Sequence, residues 1–200
     1  MNITAEPERA VKQDISRFPK CITSPTTRVG MALMALGFLL AIPCAKAQTA
    51  ISTTDTNFIL AAAQGGMTEV KLGEMAAQKG LREDVKEFGQ MMVKDHMAIN
   101  DDLKTMAAQK GVTLPNSLDA EHQDIVDKMA ALTGTGFDDA YINGMIQTHQ
   151  MDAKTFRAES AATEDAGVKY FVNTSIPVVE SHLQRITALK NLKQAAALKK

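Results

Sequence analysis

The sequence predicts an all-α domain, a four-helix bundle with one long crossover, and three observations predict it. Beyond Gln48 no segment alternates polar and apolar residues in the manner of a half-buried strand. Alanine, leucine, methionine, lysine and glutamate dominate that region, all strong helix formers, against only two tyrosines and five phenylalanines. Four long stretches repeat apolar residues every three or four positions, the spacing of one helix face, and glycine or proline punctuates the joints between them.

The first helix spans 55–79, with Asp55 as N-cap and Gly80 as stop, and its seam runs Phe58, Ala62, Gly65, Glu69, Leu72, Ala76. Gly65-Gly66 inside it costs about 1 kcal/mol per glycine relative to alanine, which points to close approach by a neighbouring helix. The second helix spans 83–110 and stops at Gly111, with Pro115 beyond; its seam is Val85, Phe88, Met92, His96, Ile99, Leu103, Met106. At about 1.5 Å per residue each helix reaches roughly 40 Å, and the tight turn between them makes an antiparallel hairpin. A connecting segment follows with a short helix at 118–132, whose His122 is expected to face solvent. The third long helix, 137–163, has the seam Phe137, Tyr141, Met145, His149, Ala153, Phe156. The fourth, 165–192, has the seam Val168, Val172, Ser175, Val179, His182, Ile186, Leu189. Pro177 within it should kink the helix or break a hydrogen bond, at about 3 kcal/mol unless packing accommodates the bend.

Hairpin, crossover with a short helix, hairpin is the ferritin-like arrangement. The halves also echo each other. Val85-Lys86-Glu87-Phe88 leads to His96 as Val168-Lys169-Tyr170-Phe171 leads to His182, and Met-Ala-Ala-Gln-Lys-Gly occurs at both 75–80 and 106–111.

Upstream, residues 29–42 form an uncharged apolar run, with Arg28 before it and Ala45-Lys46-Ala47 after it. Crossing a bilayer takes about 20 residues, so the run reads as a secretory signal cleaved after Ala47, or else one retained as an anchor. Residues 1–47 are thus an N-terminal extension and signal peptide, and 48–200 the helical domain. Both cysteines, Cys21 and Cys44, precede the cleavage point, which removes disulfides and cysteine metal sites from the mature chain. Setting aside six basic and three acidic residues before Gln48 leaves 16 against 20, a net charge of −4. Such a chain has no basic patch for nucleic acid and no transmembrane segment once mature. Its expected place is the periplasm, with association to an envelope surface left open.

Each long helix places one ionisable side chain near the middle of its seam: Glu69, His96, His149 and His182. Counted from the turn of each hairpin, the partners fall within roughly one helical turn in height, so four polar groups can meet in the bundle centre. A carboxylate there escapes its burial cost by protonation, by pairing or by holding a metal. Two readings stay open. One is a hydrogen-bonded cluster in which Glu69 pairs with a protonated histidine and sets helix register. The other is a single transition metal, zinc, copper or iron, on Glu69, His96, His149 and His182. A di-iron carboxylate centre is disfavoured, because it needs Glu-x-x-His on two helices and the chain has none; His149-x-x-Asp152 comes nearest, in reverse order. Met92 and Met145 each lie four residues before a seam histidine, the thioether-imidazole pairing of Cu(I) sites and also the habit of core filler. Asp95 is expected off the seam, at the bundle rim. No serine or cysteine nucleophile constellation exists, and no catalytic residue is assigned.

Several of these pieces together are similar to a known family. Gly65-Gly66-Met67-Thr68-Glu69-Val70, Leu72-Gly73, Val85-Lys86-Glu87-Phe88, Met92-Val93-Lys94-Asp95-His96, Phe137-Asp138, Tyr141, His149 and Ile176-Pro177 before His182-Leu183 resemble the exported bacterial family called domain of unknown function 4142. The resemblance implies a ferritin-like bundle in the cell envelope, often labelled an outer-membrane protein, with no agreed activity. Nothing in the sequence patterns as a β-barrel. The reading that follows is an exported periplasmic bundle serving as a binding or stress-protective module. The alternative is a metal-binding or metal-dependent redox protein built on the Glu/His cluster.

Overall fold

The structure, a computed structural model, describes residues 50–197; the expected signal and extension at 1–47 lie outside the described residues. Five helices follow one another: α1 (Thr53–Lys79), α2 (Glu83–Gln109), α3 (Ala120–Ala130), α4 (Gly134–Ala162) and α5 (Ala166–Ala197). No strand occurs among the described residues. α1 and α2 form one hairpin and α4 and α5 the other; α2 packs on α5, α1 on α4, and α3 lies in the crossover against α1 and α4. No helix among the described residues is long and apolar enough to cross a membrane.

Local chemistry sets the ends. α1 begins one turn before Asp55 would start it, because Ser52 is the cap and accepts the Asp55 N–H at 2.9 Å. Gly80 ends α1 without entering the left-handed region (φ −53°). Its glycine is required by space: a Cβ there would meet the Ala76 carbonyl oxygen at 2.7 Å. The next turn is tied to the other hairpin, since Asp138 of α4 accepts both the Leu81 and the Arg82 N–H at 2.9 Å. Gly111 closes α2 at φ +70°, the backbone that favours glycine. α4 starts at Gly134, earlier than the periodicity indicates, and α5 runs on through Pro177 as one helix and extends past Leu192. Asp165 caps α5, accepting from the N–H groups of Gly167 and Val168, and pairs with Lys110 at 2.6 Å. Lys79 clasps the crossover: its Nζ donates to the carbonyls of Met129, Ala130 and Leu132.

The interior is layered. Near the α1–α2 turn, Leu72, Val85, Met92, Phe137, Tyr141 and Ile186 belong to one apolar cluster. Towards the opposite end, Ile59, Leu103, Phe156, Val168 and Val172 belong to a second. A fully buried side chain of this kind contributes about 1.5–3 kcal/mol. On α1 the expected seam is buried at Phe58, Glu69, Leu72 and Ala76, but between them the stripe passes through Ala63 and Gly66, while Ala62 and Gly65 are half-buried. Gly66 does meet a neighbour, since a Cβ there would overlap the Asn100 side chain, but Gly65 faces open space. The tightest backbone approach lies elsewhere, at Gly73 and Gly89, where a Cβ on Gly89 would come within 2.7 Å of the Gly73 carbonyl oxygen.

Beyond the second cluster, buried Asp55 and Glu159 hydrogen-bond each other. Burial raises Asp55, but its hydrogen bonds from Glu159, Thr163 and Ser52 bring it below the ordinary value. Burial and the Asp55 carboxylate push Glu159 up to about 7.

Candidate metal centre

On every long helix one ionisable residue falls between the two apolar clusters, and the structure brings all four together. Glu69, His96, His149 and His182 are 5, 3, 0 and 1 % exposed. His96 Nδ1 lies 3.0 Å from Glu69 Oε2. His149 Nε2 lies 3.3 Å from His182 Nδ1 and 3.6 Å from Glu69 Oε1. The three rings form a triangle with centroid separations of 5.2, 5.4 and 5.7 Å. One ring nitrogen from each histidine lies within 4.8 Å of the others, and Glu69, His149 and Asp152 make a second set of the same kind.

Hydrogen bonds decide which nitrogens carry protons. His149 Nδ1 donates to the Met145 carbonyl oxygen at 2.9 Å, which leaves Nε2 as a lone pair. His182 Nε2 lies 3.1 Å from Asp95 Oδ2; a carboxylate only accepts, so the proton sits on Nε2 and Nδ1 is a lone pair. Burial holds the His149 imidazole down at about 4 and lowers His182 too, so both rings are neutral at neutral pH. Two lone pairs then face each other at 3.3 Å. They repel unless a cation or a proton stands between them.

The other pair is charged. Burial alone would raise the Glu69 carboxyl, yet the attraction and hydrogen bond of His96 bring it below the ordinary range. Burial alone would lower His96, yet Glu69 raises it above. Glu69 Oε1 and His96 Nε2 remain buried without a hydrogen-bond partner, and an unsatisfied buried polar atom costs about 1–3 kcal/mol. The centre therefore gathers imidazole nitrogens and a carboxylate oxygen that lack partners. The far nitrogens of His149 and His182 are tied to a carbonyl and a carboxylate, the outer support that orients metal-binding histidines.

Sequence reasoning missed two members. Asp95, expected at the rim, orients His182. Its signal is its place next to His96, one step round α2 on the side packed against α5. Asp152 stands three residues after His149, on the same helix face, and burial pushes its carboxyl up to about 7. Met92 and Met145 pack in the apolar cluster with Phe88 and Tyr141. His122 belongs to α3, outside the layer, half-buried rather than fully exposed, with Nδ1 2.8 Å from the α3 cap Asp119. A cavity of about 200 Å³ reaches the layer from the side of exposed Met151, with Glu69, His96 and Asp152 among its lining and Gly65 along its wall.

Comparison with known proteins adds the following. The family described as Domain of unknown function (DUF4142) matches residues 41–189. No curated protein matches the chain. Among solved structures, a DUF305 fragment from Deinococcus radiodurans is similar, with TM-score 0.61 and 11 % identity over 70 % of this chain and 96 % of that one. CopM in its Cu(I)-bound form is similar with TM-score 0.58 and 20 % identity, over 68 % of this chain and 95 % of that one. CopM in its Ag-bound form gives TM-score 0.56 and 20 % identity, over 68 and 95 %. At these identities the likeness shows a shared helical fold.

Proposed function

We propose that this chain, which belongs to the DUF4142 family, binds one transition-metal ion, copper foremost, between His96, His149 and His182, with Glu69 as the adjoining carboxylate. The observation that carries the reading is His149 Nε2 and His182 Nδ1 at 3.3 Å in a buried layer, the far nitrogen of each ring held by an acceptor. A bound cation replaces their repulsion with two coordinate bonds, displaces the Nε2 proton of His96 while its Nδ1–H stays on Glu69, and gives the partnerless Glu69 oxygen a counter-charge. Imidazole nitrogens suit copper and zinc, and among divalent first-row ions such donors bind copper most tightly. That CopM, of similar fold, has copper-bound and silver-bound forms supports the choice of metal.

The metal is cargo in this reading, held or buffered rather than used in turnover, as befits a binding or stress-protective module. The same proposal includes export: residues 1–47 act as extension and signal, and the domain at 48–200 works in the periplasm. Metal-free protein supplied with copper, zinc or iron should take up one equivalent, copper most tightly, by elemental analysis. The double variant His149→Ala, His182→Ala should take up none. Wild-type protein without stoichiometric metal, or a double variant with wild-type affinity, would refute the reading.

A further inference from the structure

The layer holds two donor sets that share one residue. His96, His149 and His182 form the first, and Glu69, His149 and Asp152 the second. They differ in chemistry and in access. The first is all imidazole and deeply buried, its members 3, 0 and 1 % exposed, and only His96 of the three touches the cavity. The second contributes two carboxylates, and half-buried Asp152 and Glu69 both line the cavity that reaches exposed Met151.

His149 cannot complete both sets at once. Its Nδ1 is committed to the Met145 carbonyl, so Nε2 alone faces either set. One ion at a time is therefore held, and passage between the sets needs only an exchange of partners around a stationary Nε2. We infer that Glu69, Asp152 and His149 form an outer acceptance site through which a metal ion passes to the inner histidine site. This rests on the metal-binding reading above and adds a route to it.

The chemistry of the two sets gives the route its direction. Carboxylate oxygens are hard donors that suit ions keeping part of their water, whereas imidazoles hold late transition metals more strongly. An ion arriving hydrated meets the carboxylates first and is drawn inward as imidazole replaces water. The cavity wall is largely apolar, with Phe58, Ile99 and Phe156 among its lining, and its remaining donors, Asn100, Thr155 and Met151, are uncharged. Gly65 keeps it open, since no atom lies within 4 Å of where its Cβ would stand.

The test is stopped-flow mixing of the metal-free full-length chain with copper(II) alone, followed by chelator competition at equilibrium. Asp152→Asn should load about tenfold more slowly, the lower end of what a steering charge at a cleft contributes to an on-rate, while its final affinity stays within about threefold of wild type, a shift below 1 kcal/mol. Gly65→Val, which narrows the cavity without touching a donor, should slow loading in the same way. His182→Ala should keep the rapid first phase and lose the tight final state. Wild-type loading rates in both Asp152→Asn and Gly65→Val would overturn the route and leave the metal-binding reading standing. An Asp152→Asn affinity as weak as that of His182→Ala would also overturn it, making Asp152 a resident ligand. A wild-type chain that takes no copper would remove both.

Discussion

Replacing Gly89 by alanine should destabilise the protein, although alanine is the better helix former. An added Cβ would lie 2.7 Å from Ala77 N, 2.7 Å from the Gly73 carbonyl oxygen and 2.8 Å from Ala76 Cβ. Comfortable contacts are about 3.5–4.0 Å, so α1 and α2 must part by roughly 0.7 Å or more. Overpacking of this kind costs about 1–3 kcal/mol, and two of the three contacts are backbone atoms that cannot rotate aside, which places the cost in the upper half. Alanine offsets about 1 kcal/mol through its helix propensity. The net loss is then about 1–2 kcal/mol, or a fall in Tm of roughly 2–8 °C for a domain of this size. Gly65→Ala supplies the contrast. Nothing lies within 4 Å of its Cβ position, so the propensity gain of about 1 kcal/mol stands unopposed, and Tm should rise by roughly 2–4 °C. Thermal melts followed by circular dichroism at 222 nm read both. A Gly89→Ala variant melting at or above wild type would show that the helices do not touch at Gly73 and Gly89.

Further predictions follow from the polar contacts. Glu159 titrates at about 7 when folded, above its ordinary 4.5; its stabilising contribution is complete below about pH 4.5 and lost as pH rises through 7. Relative to Glu159→Gln, whose amide donates to Asp55 at any pH, wild-type Tm should therefore fall progressively from pH 5 to pH 8; a Tm difference between the two that does not change with pH would show that Glu159 does not titrate in this range. Asp138→Ala strands the Leu81 and Arg82 N–H groups and should cost about 2 kcal/mol or more in urea unfolding. Free copper at about a hundred times Kd should stabilise the wild type by about 2.7 kcal/mol, or roughly 5–11 °C. The same addition should leave the melt of His149→Ala, His182→Ala unmoved.

The sequence made the four-residue layer legible because each long helix offers a single ionisable group at seam spacing, and an apolar interior leaves that group nowhere else to point. The parts played by Asp95 and Asp152, the latter noted only as a reversed motif with His149, were unassigned for a different reason. Their roles depend on which neighbour each helix packs against, and α2 meeting α5 is a property of the bundle rather than of any segment. The one-residue shift in the middle of the α1 seam has a third cause: between Ala62 and Gly66 the residues are mostly small, so the periodic signal there is weak. Ser52 and Asp55 are both good caps three residues apart, and the earlier one won because the chain can extend the helix by a turn at little cost. Gly134 and Gly136 hid the true start of α4, since two poor helix formers in a first turn read as loop.

One charged stratum between two oily slabs makes the bundle intolerant of sliding. Moving any long helix by a turn, about 5.4 Å, would drag an imidazole or a carboxylate into hydrocarbon and leave its former companions stranded. The same four side chains thus set the helix register as well as forming the polar layer. Whatever they bind, these four side chains are the notch that holds the helices in step.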